Sequence, residues 1–172
     1  MHQTYFLQSV RTAGVISAVW YFFYATLHPY DFHLIDTVNL IMHEAGHVIF
    51  MLFGQFLYVA GGSLFQLIVP GFCVVYFALR TEFLSSSVMI LWLGESLNNV
   101  SVYAGDALAR QLPLLGDDPE SHDWFYLLDV TRTLTYTHTI SGILHGVALS
   151  LLVLGTGLAC WVLYLQITRE RV

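Results

Sequence analysis

VNLIMHEAGHVIF, residues 38–50, places two histidines and a glutamate inside a run otherwise suited to an apolar interior. On a helix His43 and His47, four residues apart, share a face, so both imidazoles can grip one metal ion while Glu44 lies beside it as a candidate base. Chance would place such a triplet in a chain of this composition roughly 0.01 times. A buried histidine pair that merely hydrogen-bonds its neighbours is the plainer reading. Ionisable groups in so apolar a setting are nevertheless usually functional, which favours the metal.

Outward from this motif, a helix is expected over about residues 36–60, with Asp36 or Thr37 as its cap and Gly61-Gly62 as its stop. Asp36, Asn39, His43 and His47 fall along one stripe of it, while Ile41, Val48, Ile49 and Leu52 occupy other faces. A charge such as Glu44 costs several kcal/mol in lipid, so the polar stripe must look inward. Residues 83–106 carry a second stripe, Glu95, Asn98, Asn99 and Asp106, and the two stripes most economically face each other. Between them, residues 63–79 are short, broken by Pro70-Gly71 and marked by Gln66. That segment reads either as a kinked crossing or as a re-entrant hairpin.

The flanks are simpler. Residues 12–28 read as a retained first helix ending in the aromatic cluster Trp20 to Tyr24, before the breaking sequence His28-Pro29-Tyr30-Asp31. Residues 139–166 form a last apolar helix in which Gly142 and Gly146 have the GxxxG spacing that favours close packing. Residues 107–138 make an acidic loop, where His122 and Asp123 are alternative ligands able to swing over the site; Glu95 is another.

With 56% apolar and 10% charged residues in 172, the expected fold is all-α: a single integral membrane domain, a polytopic bundle of four to five spans with the lipid bilayer as its solvent. Lysine is absent and the net charge is −6, which excludes a basic nucleic-acid surface. Cys73 and Cys160 lie in apolar segments and make no disulfide framework.

HEAGH in an apolar helix, followed by a short apolar segment and an asparagine-bearing helix that ends in aspartate, resembles the site-2 protease family of intramembrane zinc metallopeptidases. The resemblance covers about residues 39–107. It implies zinc as cofactor, Asp106 as third ligand eight residues after Asn98, Glu44 as general base, and Asn98 or Asn99 holding substrate backbone or oxyanion. The implied substrate is an unwound transmembrane peptide of a membrane protein. Ala107 stands where that family has glycine, and its prolines between asparagine and aspartate are absent. YAGDA, LPL and HDW are also similar to a group of small bacterial membrane proteins carrying HEAGH, which implies a bacterial inner membrane. The main alternative is a non-catalytic structural or assembly subunit of a membrane complex. A haem or quinone protein using two of His43, His47, His138 and His145 ranks last, because histidines four apart on one helix cannot be opposite axial ligands.

Overall fold

A computed structural model describes residues 2–112 and 122–169. Its regular elements are all helical: α1 His2–Leu27, α2 Leu34–Phe50, α3 Gln55–Leu79, α4 Phe83–Gly105, α5 Asp123–Val130 and α6 Thr137–Arg169. Single 3₁₀ turns precede α3, at Met51–Phe53, and α6, at Leu134–Tyr136, and no strand occurs among the described residues. The middle of the acidic loop, residues 113–121, lies outside them.

The motif helix starts earlier and stops sooner than its sequence suggests. Asp36 sits in the first turn of α2 and accepts a hydrogen bond from the His33 N–H at 2.7 Å, satisfying a donor at the helix entrance. The break comes at Gly54, whose φ of 90° and ψ of 165° suit glycine alone, not at Gly61-Gly62. The chain reverses there, and α3 returns antiparallel along α2. Gly61 and Gly62 therefore serve packing. A Cβ on Gly46 would collide with the Gly61 carbonyl, and one on Gly61 would lie 2.7 Å from the Gly46 oxygen.

α3 is one continuous 25-residue helix rather than a re-entrant hairpin, and Pro70 is buried within it. Proline has no N–H to offer the carbonyl four residues back, that of Gln66. The Ser96 hydroxyl of α4 donates to this oxygen instead, at 3.2 Å, and the Gln66 side chain reaches Asn99 at 3.0 Å. A helix-breaking residue is thus tolerated because a neighbouring helix supplies the missing donor.

α4 is the central element, packed against α1, α3 and α6. Leu91 and Leu152 are wholly buried there with Phe22 of α1. Close approach of α4 to α6 runs through Gly94 and Gly155, each of whose Cβ atoms would meet backbone oxygen at 3.0 Å. Gly142 and Gly146, whose spacing favours close helix packing, have nothing within 4 Å of a Cβ. Within the segment read as an acidic loop, Asp123–Val130 form α5, which docks on α3 and α4.

Beside its apolar core the bundle buries several polar side chains and exposes many large apolar ones. Asn39, Gln66, Glu95, Ser96, Asn98 and Ser101 are buried, whereas Ile41, Val48, Ile68, Phe72, Val153 and Leu154 are exposed. α3 and the segment Leu134–Thr168 are long and apolar enough to cross a membrane.

Gly46→Ala is expected to destabilise the α2–α3 crossing by about 1–3 kcal/mol through overpacking. Thermal unfolding of the detergent-solubilised chain should show a lowered Tm, whereas Gly142→Ala, with open space around it, should leave Tm unchanged or slightly raised. Equal Tm values for the two variants would refute the crossing.

Candidate metal centre

The two histidines of α2 stand one turn apart with their rings edge to face, centroids 4.8 Å apart. The His47 Nδ1 lies 2.9 Å from the Tyr58 carbonyl, at the start of α3. A carbonyl only accepts, so this ring nitrogen carries a proton and Nε2 is the atom left to face Asp123. That Nε2 lies 3.2 Å from Oδ2 of Asp123, and the His43 Nε2 lies 2.8 Å from the same oxygen. Two imidazoles and one carboxylate therefore converge on a nearly dry spot.

Asp123 arrives from the first turn of α5, through the sequence His122-Asp123-Trp124-Phe125, every member of which is held. The Asp123 N–H donates to the Tyr103 hydroxyl at 3.0 Å, and the Trp124 indole donates to the Ser63 hydroxyl at 3.1 Å. The Arg110 guanidinium lies over the Phe125 ring, 4.5 Å from its centroid. His122 is completely buried, and its Nδ1 caps α5 by accepting from the Phe125 N–H. Burial holds the His122 pKa below its ordinary value despite nearby Asp106. Burial alone would raise the Asp123 carboxyl, but hydrogen bonds with His43 and His47 outweigh it and hold the group below the usual carboxylate value.

Two imidazoles and a carboxylate are groups that can hold a metal ion: tetrahedral ligand atoms at bonds of about 2.0–2.1 Å lie about 3.3 Å apart, which the 3.2 Å from Asp123 to His47 matches while the 2.8 Å to His43 is shorter. His43, Glu44 and His47 each offer a ligand atom within 4.8 Å of the others, which places the glutamate beside the histidine pair. Gly62 completes the cradle. A Cβ there would sit 2.5 Å from the His43 Nε2 and 2.7 Å from the His47 Nε2, so only glycine leaves both nitrogens open.

The other sequence-derived candidates lie elsewhere. Asp106 ends α4, and its carboxylate turns to the following loop, accepting from the Gln111 and Leu112 N–H groups at 3.0 and 2.9 Å. Helix termination redirects it away from the histidines, which its eight-residue separation from Asn98 could not reveal. Glu95 accepts from the Asn39 amide at 3.0 Å. Asn99 pairs with Gln66 and Asp36, and Asn98 contacts His145 at 2.6 Å and the Thr26 carbonyl at 3.4 Å. The two polar stripes thus do meet, at Asn39–Glu95 and Asp36–Asn99, but as a hydrogen-bonded seam beside the centre. Sequence reasoning missed Tyr103, Tyr58 and Gly62; YAGD and GGS were the available signals, and neither declares a role alone.

No protein-family model, curated protein or solved structure matches this chain. The centre is therefore interpreted from its own geometry.

Gly62→Ala should abolish stoichiometric zinc binding, measured by metal analysis after dialysis against a low zinc concentration. Gly71→Ala, on the same helix with nothing within 4 Å of its Cβ, should bind as the native chain does. Retention of zinc by Gly62→Ala would show that the cradle is not the binding site.

Proposed function

We propose that this chain is an intramembrane zinc endopeptidase, site-2 protease-like, that hydrolyses peptide bonds in or near transmembrane segments. The observation that carries this reading is the convergence of His43, His47 and Asp123 beside Glu44. A His₂-carboxylate set with a neighbouring glutamate is the donor arrangement of hydrolytic zinc sites. Asp123 here takes the ligand role that the family resemblance assigns to Asp106.

The distribution of polarity supports placement in a bilayer. An outer surface of isoleucine, valine, leucine and phenylalanine suits lipid, and the buried amides, serines and Glu95 satisfy one another inside. We take the bundle as polytopic, with α3 and α6 as its best-supported spans.

Zinc bound here would polarise a scissile carbonyl and lower the pKa of water from 15.7 towards about 7. Glu44 takes a proton from the attacking water and returns it to the departing amine nitrogen, the bond to the carbonyl carbon breaking as the new C–O bond is kept. His47 is oriented for its role by donation to the Tyr58 carbonyl, which also makes its Nε2 a better donor of electrons. The peptide must be locally unwound, because a helical backbone has already committed its carbonyls.

A second reading has one observation in its favour: 2.8 Å between His43 and Asp123 is also an ordinary hydrogen-bond distance. On that reading the cluster ties α5 to α2 in a non-catalytic subunit of a membrane complex.

The two readings separate on metal and on Glu44. The peptidase should purify with about one zinc per chain. Glu44→Gln should keep that zinc while cleavage of a transmembrane peptide falls by about 10²- to 10⁴-fold. A folded chain indifferent to zinc, with Glu44→Gln matching the native protein in every assay, would favour the subunit.

A further inference from the structure

Asp106 ends α4 close to the metal centre yet makes no contact with the histidines, and its carboxylate is fully engaged in the loop. One oxygen, Oδ2, accepts from the Gln111 and Leu112 N–H groups and lies 3.4 Å from the His122 Nε2. The other, Oδ1, accepts from Gln111 at 3.0 Å. Asp106 thereby fastens the chain leaving α4 and faces, at 3.4 Å, the otherwise unpartnered buried Nε2 of the residue that opens α5. Arg110, at φ 49°, belongs to the same turn and donates its N–H to the Asp106 carbonyl at 2.7 Å.

His122 transmits this hold. Its Nδ1 accepts from the Phe125 N–H at 3.2 Å, so the neutral ring carries its proton on Nε2, the atom that faces Asp106. The ring is wholly buried and packs on Tyr103 with centroids 4.4 Å apart. The same tyrosine lies 5.8 Å from the His43 ring and accepts the Asp123 N–H. His122 thus packs on the same tyrosine that holds the peptide carrying Asp123. No other carboxylate among the described residues is placed within ion-pair distance of His122.

We propose that Asp106 is a positioning residue which, through His122, holds the Asp123 carboxylate against His43 and His47. The inference rests on the metal-centre reading above and adds to it a support shell that runs from the end of α4 to the start of α5. Groups that orient a ligand in this manner commonly change metal affinity by about 10- to 100-fold when removed.

The test uses the full chain in detergent micelles, with zinc affinity measured by competition against a chromogenic chelator. Four proteins are compared: native, D106A, H122N and D106A/H122N. Asparagine is among the best N-cap residues, so H122N keeps the Phe125 cap while its shorter side chain falls short of Asp106. Each single variant should bind zinc about 10- to 100-fold more weakly. The double variant should be no weaker than D106A, because one group acts through the other. At saturating cobalt, D106A should retain the native ligand-field absorption, since its ligand set is unchanged.

Native affinity in D106A or in H122N would overturn the proposal, as would losses that multiply in the double variant. A changed cobalt spectrum in D106A would make Asp106 a ligand and also overturn it. If D106A does not fold, H122N decides alone, with weakened binding supporting the proposal and native binding refuting it. A native protein that binds neither metal would instead remove the metal centre itself, and this inference with it.

Discussion

A single oxygen, Oδ2 of Asp123, lies 2.8 Å from one imidazole nitrogen and 3.2 Å from another. In the second ring the other nitrogen, Nδ1, donates its N–H to the Tyr58 carbonyl. An imidazole nitrogen and a carboxylate oxygen hold such a separation in a mostly buried site only with a proton or a metal ion between them. Leaving a buried carboxylate uncompensated costs about 3–5 kcal/mol, and a divalent cation with three fitting ligands removes that cost. The protein's other features follow from bringing these three side chains together.

Close approach of α2 and α3 is the first requirement. Gly46 and Gly61 let the two backbones meet, Gly54 turns the chain, and Gly62 keeps the space before the histidines clear. The second requirement is α5, fastened through His122 to Phe125 to α2, α3, the end of α4 and the turn that follows. Polar side chains elsewhere in the interior answer one another: Ser96 replaces the donor lost at Pro70, and Glu95 is matched by Asn39. Many large apolar side chains lie on the exterior of the same bundle.

How much of this could be read from the residues depended on distance along the chain. His43, Glu44 and His47 are one turn of one helix, so their joint orientation follows from 3.6 residues per turn. The helical class and the inward turn of Asn39 and His43 followed from composition and periodicity for the same reason, whereas Glu44, whose charge was the argument for an inward face, is exposed beside them. Asp123 lies 80 residues from His43, on a helix of only 8 residues whose position depends on Tyr103, Ser63 and Arg110. No local periodicity encodes that docking. Asp106 showed the opposite difficulty: its spacing from Asn98 matched a family pattern, but a residue at a helix end points wherever the following turn sends it. Glycines were ambiguous too. Gly61-Gly62 has the composition of a helix stop and serves as a packing surface, while the single Gly54 makes the break.

Whether Asp123 completes a two-histidine metal centre is read directly from X-ray absorption at the zinc edge, comparing the native chain with Asp123→Ala. The native spectrum should show only nitrogen and oxygen neighbours at about 2.0–2.2 Å, with outer-shell scattering from two imidazoles, and Asp123→Ala should lose one oxygen while any zinc retained keeps both rings. Sulfur neighbours, fewer than two imidazoles, or an identical first shell in Asp123→Ala would contradict a centre completed by Asp123.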